Sequence, residues 1–176
     1  MTTVHPEATI ATPRLRLRRP MMSDAPRLAA LANDLELARM TTGVPHPCRL
    51  LDAEMFLARA LAGDDQRERL FVIEDSETSA GVIALNPNSA GVTEVGYWLG
   101  RPFWNRGYMS EALPAVLAWG VSTWGRRRIA SGHFADNPAS AAVLISAGFL
   151  YTGEVVPRRS LARAEATPTR MMVWLA

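Results

Sequence analysis

The residues best suited to chemistry lie in EVGYWLGRPFWNRGYMSEA, Glu94 to Ala112, an apolar strand that runs into a glycine-containing loop and opens a helix. The first amides of a helix have no internal partner and point outward, and the helix dipole adds a favourable potential for an anion. Gly107 lets a ligand approach the backbone, and Arg101 and Arg106 can add charge-assisted contacts. Such a junction suits phosphate oxygens, although many strand-loop-helix junctions bind nothing. The chain has no G-x-x-x-x-G-K-[ST], and no G-x-G-x-x-G follows a strand, which argues against kinase, NTPase and Rossmann chemistry.

Other chemistries are poorly supplied. The lone Cys48 sits in VPHPCRL, where a packed or exposed thiol is the expected state, and one cysteine with three scattered histidines makes no zinc site. It can form no intrachain disulfide, which agrees with a reducing compartment. All 19 basic residues are arginine, so lysine is unavailable as base or Schiff-base nucleophile. A net charge of +2 gives no concentrated basic face for nucleic acid. The cluster Arg126, Arg127 and Arg128 reads as a solvated turn or as a contact for a ligand phosphate.

The elements that must position these residues follow from hydrophobic period and punctuation. With 176 residues, 48% of them hydrophobic and 20% charged, the chain fits one globular domain over residues 12–176 behind a frayed segment, 1–11. No apolar run approaches a membrane span and the polar start lacks a secretory h-region, so a cytoplasmic location is expected. Leu15 and Leu17 alternate with arginines in a first strand. A helix capped by Ser23 or Asp24 carries Leu28, Leu31 and Leu35, and a second runs from Asp52 to Leu61. Three strands follow, LFVIE, GVIAL and VTEVGYWL, then a helix over 107–124 interrupted by Pro114, where a kink is expected. After the strand RIASGHF, Asn137 caps a helix with Pro138 at its first position, and two strands close the chain. This order implies an α+β fold: a largely antiparallel sheet of about seven strands with about four helices on its two faces.

Trp104 to Ala112, WNRGYMSEA, resembles the acetyl-CoA pyrophosphate loop of the GNAT acetyltransferases, in particular the W-G-R-G-Y-A-T-E-A version of the branch that holds the ribosomal-protein alanine acetyltransferases (RimJ/RimL type). A second motif, DNPASAAVLISAGF at Asp136 to Phe149, matches that family's N-P-x-S-x-x-V-L-x-x-x-G-F, and TPRLRLRRP resembles the branch's first strand. The resemblance implies a GNAT fold with a mixed sheet and with acetyl-CoA as co-substrate, and no metal, in a cleft between the fourth and fifth strands. It assigns the backbone from Arg106 through Gly107, Tyr108 and Met109 to Ser110 to the pyrophosphate, with Trp104 also among the cofactor-binding residues. Trp98 and Leu99 would lie beside the pantetheine arm, Asn137 would hydrogen-bond that region, and Ser140 would sit near the sulfur. From the residues alone, Asn137 is a helix cap and Ser140 an exposed first-turn residue. Asn105 and Met109 replace smaller residues of the motif, and Leu144 stands where many relatives carry a proton-donating tyrosine, so that Ser140 or a water serves as acid, or none is used.

The reaction so implied is direct attack of an amine on the thioester carbonyl in a ternary complex. The acceptor must first be neutral, which at pH 7 costs about 4 to 5 kcal/mol for a lysine side chain but only about 1 for an α-amine. Acceptors therefore divide into protein N-termini and small amines, with α-amines favoured where no strong base exists. Glu94, which alternation puts on the face of Trp98, is the first candidate base, followed by Glu154 and His133. Arg158, Arg159 and Arg163 lie in a loop that either attracts an acidic acceptor or is an ordinary solvated hairpin. An acyl-CoA-binding sensor without turnover is the alternative reading, and the protein is expected to act as a monomer or homodimer without membrane partners.

Overall fold

In strand β2, Leu15–Arg18, Leu15 and Leu17 are buried while Arg16 faces water, the alternation of a sheet covered on one side. The computed structural model describes residues 9–76 and 78–176. Ahead of β2, Ile10–Ala11 forms a two-residue strand, β1, registered on Leu17 and Arg16, so the end of the segment that lacked periodicity in the sequence joins the sheet. Helices α1 (Ala25–Ala32), α2 (Leu35–Arg39) and α3 (Leu50–Ala62) follow, then β3 (Arg69–Asp75), β4 (Thr78–Pro87) and β5 (Thr93–Leu99). Helix α4 (Tyr108–Trp124), β6 (Arg128–Phe134), α5 (Pro138–Ser146), β7 (Leu150–Arg158) and β8 (Thr167–Leu175) complete the chain.

The strands form one eight-stranded sheet in the order β1-β2-β3-β4-β5-β6-β8-β7. Every neighbouring pair is antiparallel except β5 and β6. Phe71 and Ile73 on β3 join Ile83, Leu85, Leu113, Leu117 and Leu144 beneath α4 and α5. Leu70 and Val72 point the other way and pack with Leu28 and Leu57 of α1 and α3. Burial on both faces explains why β3 reads as an unbroken apolar run.

The expected mixed, mainly antiparallel sheet with helices on both faces is therefore present, with one more strand and one more helix than the sequence pattern supplied. The extra helix arises because Asn33 and Asp34 break the first helical pattern: the Asp34 carboxylate accepts the amides of Glu36 (3.0 Å) and Leu37 (3.3 Å) and starts α2 afresh. Leu35 belongs to that new helix. Helix α3 begins two residues before Asp52, whose carboxylate reaches back to the Arg49 amide (2.8 Å) from the third helical position. Pro114 sits on the exposed side of α4, and the helix continues through it from Tyr108 to Trp124.

Candidate active site

Strands β5 and β6 share a single registered pair, Glu94 and Ala130. The Ser131 hydroxyl adds a bond to the Val95 carbonyl (3.1 Å), and beyond that point the strands separate. A cavity of about 1220 Å³ occupies the gap and continues to the face covered by α1 and α3. Glu94, Trp98, Leu99, Trp104, Gly107, Tyr108, Met109, Ser110, Asn137 and Ser140 all border it, so the structure brings together residues spread over two distant motifs. Arg106 does not: its guanidinium lies 5.7 Å over the Phe103 ring.

The loop at one end of the cavity is held by its side chains and leaves its backbone open. Asn105 (φ 57°) and Gly107 (φ 73°) both take the left-handed conformation. Asparagine tolerates that region, so Asn105 reproduces what glycine does in the motif. Tyr108 and Met109 turn inward and are buried, which removes the methionine side chain from the loop surface. The first intrahelical bond runs from Glu111 N to Gly107 O, leaving the amides of Tyr108, Met109 and Ser110 without helical acceptors. The Trp104 indole donates to the Leu99 carbonyl (2.6 Å), tying the loop to the end of β5. Arg101 is engaged by Asp34 (2.5 and 2.7 Å) and lies over the Trp104 ring, so it braces the loop entry.

A second brace comes from the start of the domain, and the sequence offered no signal for it. Arg14 donates from Nη1 to the Arg106 carbonyl (2.8 Å) and from Nε to Glu111 (2.6 Å), while its guanidinium lies 4.9 Å over the Tyr108 ring. Glu111 also accepts from the Thr12 hydroxyl (2.6 Å) and the Arg14 amide (2.8 Å). Burial alone would push the Glu111 carboxyl up, but these donors hold it below the usual carboxylate range. The Tyr108 hydroxyl donates to Asp75 at the end of β3.

The candidate bases fare differently. Glu94 is clamped by both terminal nitrogens of Arg158 (2.5 and 3.0 Å), so both of its oxygens already accept charge-assisted bonds. That carboxylate in turn raises Arg158 above its ordinary value, against the effect of burial. His133 is buried, with Nδ1 bonded to the Phe134 carbonyl (2.8 Å) and Nε2 to the Tyr151 hydroxyl (2.9 Å). A carbonyl only accepts, so Nδ1 carries a proton, and Nε2 is occupied by the Tyr151 hydroxyl. Glu154 is exposed on β7, the sheet edge, and does not border the cavity. Arg163 grips Asp136 (2.8 and 3.0 Å) and lies over Phe134, so of the three arginines expected in the last loop Arg158 ends β7, and it and Arg163 are committed to internal ion pairs.

Asn137 caps α5, its Oδ1 accepting the Ser140 amide (3.1 Å). Burial pushes the Cys48 thiol up, away from nucleophilic character. Arg126 to Arg128 follow the C-terminal end of α4, about 25 Å along the helix from the phosphate-type loop; Arg126 packs half-buried over Trp124, while Arg127 and Arg128 are exposed. Among the described residues no group of histidine, cysteine and carboxylates could hold a metal, and no helix is long and apolar enough to cross a membrane.

An eight-stranded mixed sheet parted between two parallel strands, with a helix N-terminus at the mouth of the gap, defines the class. The chain matches the acetyltransferase (GNAT) domain over residues 14–150 and belongs to that family. Among curated relatives it is 26% identical over 149 residues to the uncharacterized N-acetyltransferase p20 of Bacillus licheniformis, covering 82% of this chain and 84% of that one. Among solved structures, the microcin self-immunity acetyltransferase MccE, in complex with acetyl-CoA and AMP, superposes with a TM-score of 0.84 at 18% identity over the whole of both chains. RimL, a ribosomal α-N-protein acetyltransferase in complex with coenzyme A, gives a TM-score of 0.84 at 21% identity over 96% of this chain and 98% of that one.

Proposed function

We propose that this protein transfers the acetyl group of acetyl-CoA to a primary amine, with a protein N-terminal α-amine or a small amine as acceptor, by direct attack within a ternary complex. The observation that carries this reading is the row of amides at Tyr108, Met109 and Ser110, without helical acceptors, at the mouth of the cleft between β5 and β6. Three amides at a helix N-terminus suit a diphosphate, and a groove walled by strand backbone suits an arm that carries its own amides. In this reading the backbone from Arg106 to Ser110 holds the pyrophosphate, with Trp104 fixing the loop. Trp98 and Leu99 flank the pantetheine, the Asn137 side chain bonds to it, and Ser140 faces the sulfur.

Glu94 and Arg158 border the cavity, and in this reading theirs is the acceptor's side. Both Glu94 oxygens are already engaged by Arg158, and the more natural work of that carboxylate here is to orient the incoming amine. An α-amine needs little help, since its neutral form costs about 1 kcal/mol at pH 7. This supports α-amine acceptors and, with the motif resemblance, a place in the RimJ/RimL-type branch. The clamped Glu94 also favours a second reading, an acyl-CoA-binding domain that senses without turnover.

Titrating acetyl-CoA into the protein, then following free-thiol release with a panel of peptides and amines, separates the two. Acceptor-dependent thiol with α-amines ahead of lysine side chains is expected. Tight binding with no acceptor-dependent thiol supports the sensor, and no binding of acetyl-CoA overturns both.

A further inference from the structure

In the tetrahedral intermediate the amine nitrogen and the leaving sulfur are held on one carbon and need separate protein partners, and the two faces of β5 carry different residues. Val95 and Tyr97 pack with the core beneath α4 and α5, whereas Glu94, two residues before Gly96, pairs with Arg158 on the opposite face. Leu144, where the family resemblance looks for a proton-donating tyrosine, is fully buried in that core and has no polar atom to offer. The Tyr97 hydroxyl instead reaches across the parted strands to Ser140 Oγ on the first turn of α5 (3.0 Å). The Ser140 backbone is fixed by the Asn137 cap, so this contact joins two rigid elements on either side of the cleft.

Either hydroxyl can in principle donate. A phenol is the stronger donor of the two, and loss of solvent pushes Tyr97 up to about 12, with the Ser140 bond opposing, so it keeps its proton at neutral pH. With Tyr97 donating, Ser140 Oγ is the acceptor and its own O–H is free to turn into the cavity.

We infer that Tyr97 is a positioning residue for Ser140: its phenol donates to Ser140 Oγ and so directs the serine O–H at the sulfur leaving acetyl-CoA. This rests on the transferase reading above. In the step concerned, the amine nitrogen bonds to the acetyl carbon and the C–S bond breaks, with its electron pair leaving on sulfur. The proton lost by nitrogen passes to solvent, and the thiolate accepts the Ser140 hydrogen bond until solvent protonates it. No phenolate or alkoxide forms. The pair acts by stabilising negative sulfur, and the aligned phenol strengthens the serine as a donor.

The test is the ionisation of CoA bound to the protein, read from the ultraviolet absorbance of the thiolate as pH is raised, in wild type, Tyr97→Phe, Ser140→Ala and the double variant. Loss of a hydrogen bond to a charged group predicts a bound-thiol pKa about one unit higher in each single variant, with about a tenfold lower kcat and an unchanged KM for acetyl-CoA. The double variant should match Ser140→Ala, because Tyr97 acts only through the serine, and Ser140→Thr should keep the wild-type value. A bound thiol that titrates alike in wild type and Tyr97→Phe overturns the inference while leaving the transferase reading intact. Wild-type protein that takes up no CoA overturns both.

Discussion

Replacing Gly107 by alanine perturbs the phosphate-type loop at one atom, and the consequences for folding and for binding are separable. The residue sits at φ 73°, a conformation that costs an L-residue about 1 to 2 kcal/mol. The added Cβ meets only Arg14 Nη2, at 3.4 Å, which is the movable end of a side chain, so crowding within the protein adds little. For a domain of this size the strain corresponds to a melting temperature about 2 to 8 °C lower. Binding suffers separately, because the methyl group occupies the surface from which a diphosphate must approach the amides of Tyr108 to Ser110. Acetyl-CoA affinity, measured by calorimetry below the melting transition, should fall by at least about tenfold, beyond what partial unfolding explains. Asn105→Gly is the control: it exchanges one left-handed residue for another, and both the melting temperature and the affinity should stay near wild type. A Gly107→Ala protein that melts lower yet binds acetyl-CoA as tightly as wild type would show that the phosphates do not lie against this turn.

Arg14→Met removes the brace between the start of the domain and the loop, and should weaken acetyl-CoA binding several-fold while circular dichroism shows the fold retained. Glu111, held below its ordinary value, supports that brace at all pH values above about 4 and loses its contribution only as pH falls through its lowered value, so affinity should drop on the acid side. Arg18 joins Asp24 and Glu74 in a buried triad (2.6 Å to each), and Arg18→Met strands two carboxylates, which should cost about 3 to 5 kcal/mol in denaturant unfolding. Burial raises Asp24, but the Arg18 bonds and the Met21 amide outweigh it; its contribution is complete above about pH 4 and fades as pH falls through the lowered value, to be read from acid unfolding against Asp24→Asn. Asn137→Ala removes a helix cap worth about 1 kcal/mol and should also raise the KM for acetyl-CoA; a change in stability alone would leave Asn137 as a cap and nothing more.

Much of the frame could be read from local pattern. Leu15 and Leu17, the apolar run of β3, and Gly125 and Gly148 as helix stops act through neighbours a few residues away, so a window of sequence contains their causes. The errors came from equivalent residues competing for one role. Asp52 looks like a cap but serves from inside the helix, and Asn33 with Asp34 stops one helix and starts another within two positions. The phosphate-type loop was legible because its left-handed turn and open helix start are set by consecutive residues. What could not be read were pairings made by the tertiary fold: Glu94 with Arg158, 64 residues apart, Tyr97 with Ser140, and Arg14 with Glu111. Each depends on how strands are ordered and how far β5 and β6 separate, and neither quantity has a local signature.

The single rung between β5 and β6 ties the protein's cohesion to its contents. Past Glu94 and Ala130 the inner lips of the two strands face each other across a seam with no ladder between them. On the reading proposed above, a slender guest with amides of its own would take the place of an absent strand there and mend the sheet at its weakest line. Occupancy and rigidity then rise together: saturation a hundredfold above the dissociation constant adds about 2.7 kcal/mol to the folded state. Hydrogen exchange should register that gain chiefly along residues 95–99, the margin that the solitary rung leaves unlaced.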